Sequence, residues 1–267
     1  MTLFHLILLA IIQGLTEFLP VSSSAHLILP SQLFGWEDQG PLIDVMAHFG
    51  TLFAVIAYFW RDVMEAIVGF FDLIRRKMNK GSLLALNLIL ATPPALVLGA
   101  ALHFSGLDEV IRSPLLIACT FIFFGIVLWI ADIKGGRTRD IETLTWKEAI
   151  YMGLAQALAL IPGTSRSGIT MTAALAMGLT RAEAARFSML MSIPIIAVGG
   201  LFAMIKLAGG ETAGVNLTDG LIVAALSFVT AFAAIALFMK WVARIGMFPF
   251  MVYRVVAGLG LLLWVLL

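Results

Sequence analysis

Six stretches of this 267-residue chain, 44–60, 83–102, 115–131, 187–205, 221–241 and 248–267, are apolar and long enough to cross a bilayer. A hydrocarbon core of about 30 Å takes roughly 17–25 helical residues. Lipid offers no partner to backbone polar groups, so each stretch is predicted to be a helix. Two further apolar stretches, 3–19 and 149–161, run into polar sequence, and each is followed by a short helix-like piece. Short broken pieces of this kind predict re-entrant helical hairpins beside about six transmembrane helices. The composition fits an all-α polytopic membrane protein: 61% hydrophobic and 12% charged residues, with mean hydropathy +1.03, where soluble domains have about 45–50% and about 25%. A net charge of +1 scattered over loops argues against nucleic-acid binding, which needs a clustered basic face. The lone Cys119 cannot form an internal disulfide and is predicted to pack as a small hydrophobe. No Lys or Arg precedes the first apolar stretch as in a signal peptide, and that stretch carries Gln13 and Glu17, so it is read as part of the mature fold.

Loop charges set the topology, because short cytoplasmic loops collect Lys and Arg. The 61–82 loop holds Arg61, Arg75, Arg76, Lys77 and Lys80, and the 132–148 loop holds Lys134, Arg137, Arg139 and Lys147. Lys240 and Arg244 mark 240–247, whereas 103–114 has only Arg112 and 206–220 only Lys206. The three rich loops are therefore inside. Segment 149–186 then enters and leaves on the inner side, and the 20–45 region, without Lys or Arg, is outside. The chain divides into halves of one plan, 1–131 and 132–267, each a polar hairpin followed by three spans. Three is odd, so the second half is inverted and the two hairpins can meet near the midplane. Ala10-Ile-Ile-Gln13 and Gly153-Leu-Ala-Gln156, each soon followed by Pro and a Ser-containing turn, echo one another.

The polar sequence in these hairpins is Gln13-Gly-Leu-Thr-Glu17-Phe-Leu-Pro-Val-Ser-Ser-Ser-Ala-His26 and Pro162-Gly-Thr-Ser-Arg166-Ser-Gly-Ile-Thr170. An intramembrane Glu, His or Arg is costly enough that it faces a partner or a watery cavity. Gln13 and Glu17 are four apart, on one helical face, and Pro20 ends that helix. Ser22, Ser23 and Ser24 then open another helix, whose hydroxyls and unpaired N–H groups suit an anion. His26 can share a side with Ser23 and exchange protons near neutral pH. A carboxylate beside them would hold a divalent cation or orient the histidine. In the second motif Ser165, Arg166 and Ser167 follow a Pro-Gly turn, and the planar fork of Arg matches a pair of phosphate oxygens. Together these are the parts of a phosphoryl-transfer site. Blander readings exist for each: the serines as helix caps, Glu17 as a solvated residue, Arg254 as a snorkelling or helix-pairing residue, Asp44 and His48 as interfacial groups, and Arg181, Glu183 and Arg186 as boundary charges paired along a helix face.

At these residues the chain resembles the undecaprenyl pyrophosphate phosphatases associated with bacitracin resistance. Residues 13–23 look like that family's Glu/Gln-x-x-x-Glu motif running into Ser-Ser-x-x-His, and residues 162–170 like its Pro-Gly-x-Ser-Arg-Ser-x-x-Thr motif. The likeness extends over nearly the whole chain, through Phe248-Pro-Phe-Met-Val-Tyr-Arg254. Gln13 stands where many members have Glu, which shifts the metal-binding role toward Glu17, and Ser24-Ala25 replaces a common Thr-Gly. The resemblance implies hydrolysis of undecaprenyl pyrophosphate in the bacterial plasma membrane, at a site open to the external side, recycling the carrier of cell-wall building blocks. The implied partners are that lipid and the bilayer; a homodimer is one open assembly. Ser23 would attack the terminal phosphorus with His26 shuttling the proton. Arg166, with Ser22, Ser24, Ser165, Ser167 and Thr170, would bind the phosphates, and Glu17 with Gln13 would hold Mg or Ca or orient His26. Attack by His26 or by water stays open, as does a transporter or lipid flippase built on the same inverted repeat.

Overall fold

The computed structural model describes residues 2–35, 40–106, 113–208 and 217–267. Arg112 and residues 209–216 of the 206–220 loop lie outside them. The helices are α1 (Leu3–Thr16), α2 (Ser23–Phe34), α3 (Gly40–Tyr58), α4 (Trp60–Ile74), α5 (Lys80–Ala91), α6 (Pro93–Ser105) and α7 (Pro114–Lys134). They continue with α8 (Trp146–Ala157), α9 (Arg166–Ala176), α10 (Arg181–Ala208), α11 (Leu217–Ile245) and α12 (Phe248–Leu266). Among the described residues, six segments are long and apolar enough to span a membrane: Gly40–Tyr58, Lys80–Ser105, Pro114–Lys134, Arg181–Ile205, Leu217–Ile245 and Phe248–Leu266. They coincide with the six stretches expected from the sequence, and the chain is an all-α polytopic membrane protein.

Three local details differ from expectation. The 83–102 stretch is two helices, broken at Thr92 because Pro93 and Pro94 cannot donate backbone hydrogen bonds. The 61–82 segment contains α4, an amphipathic helix that exposes Met64, Ile67, Phe71 and Ile74 along one side. Cys119 is exposed: the buried face of α7 runs through Ile117, Ala118, Thr120, Phe121 and Gly125, and Cys119 points the other way.

The two helix–turn–helix units pack on opposite halves of the chain. Helix α1 runs beside α11 in the same direction, with Leu6 near Val223 and Gly14 near Thr230. A Cβ on Gly14 would lie 1.8 Å from Thr230 Oγ1, so this approach requires glycine. Helix α8 runs beside α5 and α6: Asn87 Nδ2 donates to the Leu144 carbonyl at 3.2 Å, Gly153 abuts Ala91, and Leu160 lies against Gly99. α3 is parallel to α11, pairing Met46 with Gly220 and Gly50 with Ser227. α10 is antiparallel to α3, with Gly200 against Phe49 and Arg186 against Asp62. α5 runs alongside α10 in the same sense, Ala85 and Leu88 sharing a groove with Leu190 and Ile193. Hence α1 and α8 point in opposite directions, and their turns meet.

Arg254 of α12 is fully buried where they meet. Its Nη2 donates to the carbonyls of Gly163 at 2.8 Å and Thr120 at 3.2 Å, Nε to Phe121 at 3.2 Å, and Nη1 to Pro20 at 3.5 Å. One guanidinium thus joins both turns to α7, supplying donors to the turn carbonyls of Pro20 and Gly163 and to two carbonyls within α7. Gly163 completes the fit: its φ is +85°, and a Cβ there would fall 2.1 Å from Thr120 Oγ1.

The second unit is held where α8 begins by Glu148. Thr145 and Glu148 form a capping box that starts α8, and Arg139 clasps the same carboxylate through Nη1 at 2.6 Å and Nη2 at 3.1 Å. The Arg139 hydrogen bonds lower the Glu148 pKa to about 2.

Arg254→Met should strand the turn carbonyls of Gly163 and Pro20, at about 1–3 kcal/mol for each buried group left unsatisfied, lowering the melting temperature in detergent, with Arg254→Lys intermediate; wild-type melting of Arg254→Met would disprove this role. Because the folded-state pKa of Glu148 lies below its ordinary value of 4.5, its contribution is complete above pH 4.5 and fades as pH falls toward about 2. The melting difference between wild type and Glu148→Gln, worth about 1 kcal/mol or less for a partly exposed pair, should therefore be present at pH 7 and vanish near pH 2.

Candidate active site

Glu17 sits at the C-terminal cap of α1, a turn past Gln13, and Pro20 turns the chain before α2 begins. Its carboxylate is 7% exposed and gathers groups from both turns. Oε2 accepts from Ser23 Oγ at 2.7 Å and Gln13 Nε2 at 3.0 Å, and Oε1 accepts from Arg166 Nη2 at 2.9 Å. Four residues singled out in the sequence, Gln13, Glu17, Ser23 and Arg166, form one hydrogen-bonded unit. Ser167 Oγ tightens the junction by donating to the Leu19 carbonyl at 2.9 Å.

Both turns present their functional residue by the same strained device. Ser22, just before Ser23, has φ 72°, and Ser165, just before Arg166, has φ 71°. A non-glycine residue in this left-handed region costs of order 1–3 kcal/mol and persists only where its surroundings enforce it. In each turn the strained serine shares a hydroxyl contact of 3.2 Å with the residue two further on, Ser24 and Ser167 respectively.

Ser165 and Thr170, also expected at the phosphates, make contacts within the protein. Ser165 Oγ accepts from Gly168 N at 3.1 Å and so caps α9. Thr170 is buried; its hydroxyl donates to the Arg166 carbonyl at 2.9 Å and shares a 2.6 Å contact with Ser188. Ser165, Ser167 and Thr170 therefore hold Arg166 in place from behind. His26 is engaged elsewhere: Nδ1 is 2.7 Å from the Ser22 carbonyl and Nε2 is 2.5 Å from Tyr253 Oη.

A cavity of about 380 Å³ opens between α3 and α10, with Glu17 and Arg166 on one wall, Asp44 and His48 on another, and Val45, Ile195 and Ile196 completing it. His48 Nδ1 lies 2.8 Å from the Asp44 carbonyl, and its Nε2 lies 3.8 Å from Glu17 Oε2. Asp44 and His48, read from the sequence as interfacial, thus belong to the cavity; their four-residue spacing on one helix face was the available signal. Asp62 and Asp132 likewise extend the boundary charges beyond one helix, pairing with Arg186 and Arg181. The chemistry on offer is a carboxylate and a guanidinium at the wall of a cavity with apolar sides, with the Ser23 hydroxyl donating to that carboxylate.

Divalent cations of the Mg type are often held by one or two carboxylates together with substrate phosphates. Among the described residues no three His, Cys, Asp or Glu side chains cluster as a ready cage. Gln13 Oε1 is nevertheless buried without a partner beside Glu17, a hard oxygen suited to such an ion. Gln13 and Glu17 fit that kind of substrate-completed site.

Residues 6–260 match the model of the family described as bacitracin resistance protein BacA. The chain is 52% identical over 266 residues to an undecaprenyl-diphosphatase of Maricaulis maris (strain MCS10), covering 99% of each chain. It is 49% identical over 263 residues to an undecaprenyl-diphosphatase of Ruegeria pomeroyi (strain ATCC 700808 / DSM 15171 / DSS-3), covering 98% of each. With an undecaprenyl-diphosphatase of Hahella chejuensis (strain KCTC 2396) the identity is 50% over 272 residues, covering 99% of this chain and 98% of the other. With a family match over nearly its full length and relatives at about half identity throughout, the chain belongs to the bacitracin resistance protein BacA family.

Proposed function

We propose that the chain is a membrane phosphatase that converts undecaprenyl pyrophosphate to undecaprenyl phosphate and inorganic phosphate. The activity comes from its relatives, and the observation that carries it to this site is the Ser23–Glu17–Arg166 unit. The pyrophosphate enters the cavity between α3 and α10, where Arg166 exchanges part of its contact with Glu17 for phosphoryl oxygens. Ser23 Oγ forms a bond to the terminal phosphorus as the bridging P–O bond breaks, and the electron pair leaves with undecaprenyl phosphate. Glu17, the acceptor of the Ser23 hydroxyl, takes the proton. Water then cleaves the phosphoserine, releasing phosphate and restoring Ser23. Arg166 neutralises charge on the equatorial oxygens, the main requirement of phosphoryl transfer. A divalent cation held by Glu17 and Gln13 would add positive charge at the pyrophosphate. This gives Glu17, in place of His26, the Ser23 proton. A carrier has no use for a serine hydroxyl aimed at a carboxylate, so the transporter reading is not favoured.

The same reading takes 1–131 and 132–267 as inverted repeats whose hairpins re-enter the membrane from opposite sides, with the site open externally in the bacterial plasma membrane. The matching strain at Ser22 and Ser165 supports it. So do Gln13 and Gln156, both buried and each with a side-chain carbonyl that lacks a partner. The opposed directions of α1 and α8 and the alternation of loop charge agree.

Purified protein in detergent has no two compartments, so phosphate released from undecaprenyl pyrophosphate reports catalysis alone; wild type should release it, lose activity with chelator and regain it with Mg or Ca. Absence of release would refute the phosphatase reading. Arg166→Ala should lower kcat about a hundred- to thousandfold, and Ser23→Ala and Glu17→Gln by at least as much. Near-wild-type turnover by Arg166→Ala would remove the clamp from the mechanism.

A further inference from the structure

The mechanism above leaves His26 and its partner unused, although both ring nitrogens of His26 are in defined contacts. Nδ1 faces the Ser22 carbonyl at 2.7 Å, and a carbonyl only accepts, so this nitrogen carries the proton. In the neutral ring Nε2 is then an acceptor, and the group 2.5 Å from it, Tyr253 Oη, is the donor. The two rings are within 13° of parallel with centroids 5.8 Å apart, and Phe121 closes on the imidazole at 6.0 Å. Tyr253 stands on α12 beside Arg254, whose four carbonyl contacts fix that part of the helix. Its residue is 44% exposed on a spanning helix, where a phenol hydroxyl needs a protein partner because lipid offers none. The Ser22 carbonyl at the other end of the chain of hydrogen bonds belongs to the left-handed residue that presents Ser23.

We infer that Tyr253 is a positioning residue of this site: its hydroxyl, donated to His26 Nε2, holds the imidazole with its proton on Nδ1 and thereby holds the strained Ser22 carbonyl that sets the aim of Ser23. The inference rests on the phosphatase reading for its kinetic consequence, but not for its structural one. His48 shows the contrast: it makes the same Nδ1 contact to the carbonyl four residues back, yet its Nε2 looks into the cavity toward Glu17. Two histidines with one anchoring pattern therefore serve different faces of the turn.

Tyr253→Phe keeps the ring and deletes one hydroxyl. Its kcat for undecaprenyl pyrophosphate should fall about tenfold, the effect of one hydrogen bond of ordinary net strength, with KM within about twofold. The ¹⁵N spectrum of His26 in substrate-free protein, assigned by subtraction with His26→Gln, should pass from a single Nδ1–H tautomer to a mixture. Incorporating 3-fluorotyrosine at 253, which retains a donor, should restore kcat to within about twofold. Wild-type kcat together with an unchanged tautomer in Tyr253→Phe would overturn the inference, as would failure of fluorotyrosine to restore turnover. Should Tyr253→Phe fail to fold, the fluorotyrosine protein carries the test through the His26 Nε2 resonance, which a stronger donor must shift; an unshifted resonance overturns the proposal. The spectrum needs no substrate, so its outcome is separate from that of phosphate release by wild type.

Discussion

The contact on which the rest depends is the ion pair between Glu17 and Arg166, one charge from each turn, with side chains only 6% and 14% exposed. Withdrawing two ions from water costs several kcal/mol each, and mutual attraction offsets this only when the remaining hydrogen-bonding capacity is used. Here it is: Ser23 and Gln13 donate to the carboxylate from its own turn. The pair holds the two turns together and also keeps a carboxylate and a guanidinium at a cavity wall. On the proposed mechanism, an arriving pyrophosphate would take over Arg166 without leaving it uncompensated, and Glu17 would then accept the proton from Ser23.

Around this pair the fold supplies rigidity by backbone means. Arg254 directs its donors to carbonyls of both turns and α7. The paired left-handed serines expose Ser23 and Arg166 at the openings of α2 and α9. Counted from their matching glutamines, the two turns share the left-handed serine before the helix but differ in chemistry: Ser23 corresponds to Arg166, and Glu17 to Leu160. On the proposed mechanism, the first turn would supply the nucleophile and base and the second the anion clamp.

Much of this was legible in the sequence because lipid makes pattern informative. Long apolar runs in lipid are helices, so the six spans followed directly, and the polar stretches interrupting the two further apolar segments pointed at Glu17, Ser23 and Arg166. The rest depended on facing, which one-dimensional spacing does not carry. Arg254 near a span end reads as snorkelling until helix packing turns it inward. Asp44 and His48 share a face in any helix, but only the approach of α1 and α10 makes that face a cavity wall. Likewise His26 is close enough in sequence to serve Ser23, and it is the position of α12 that gives its Nε2 to Tyr253 instead. Helix α4 was hidden by the basic residues around it, which dominate a loop-charge reading.

The central claim is that Ser23, its proton held by Glu17, is the group that attacks phosphorus. It is tested most directly by acid-quenching purified protein during turnover of substrate labelled with ³²P in its terminal phosphate and locating the label by peptide mapping. Label on Ser23, absent in Ser23→Ala, is the expected result. Label on His26, or rapid phosphate release with no labelled protein at any time after mixing, would contradict it.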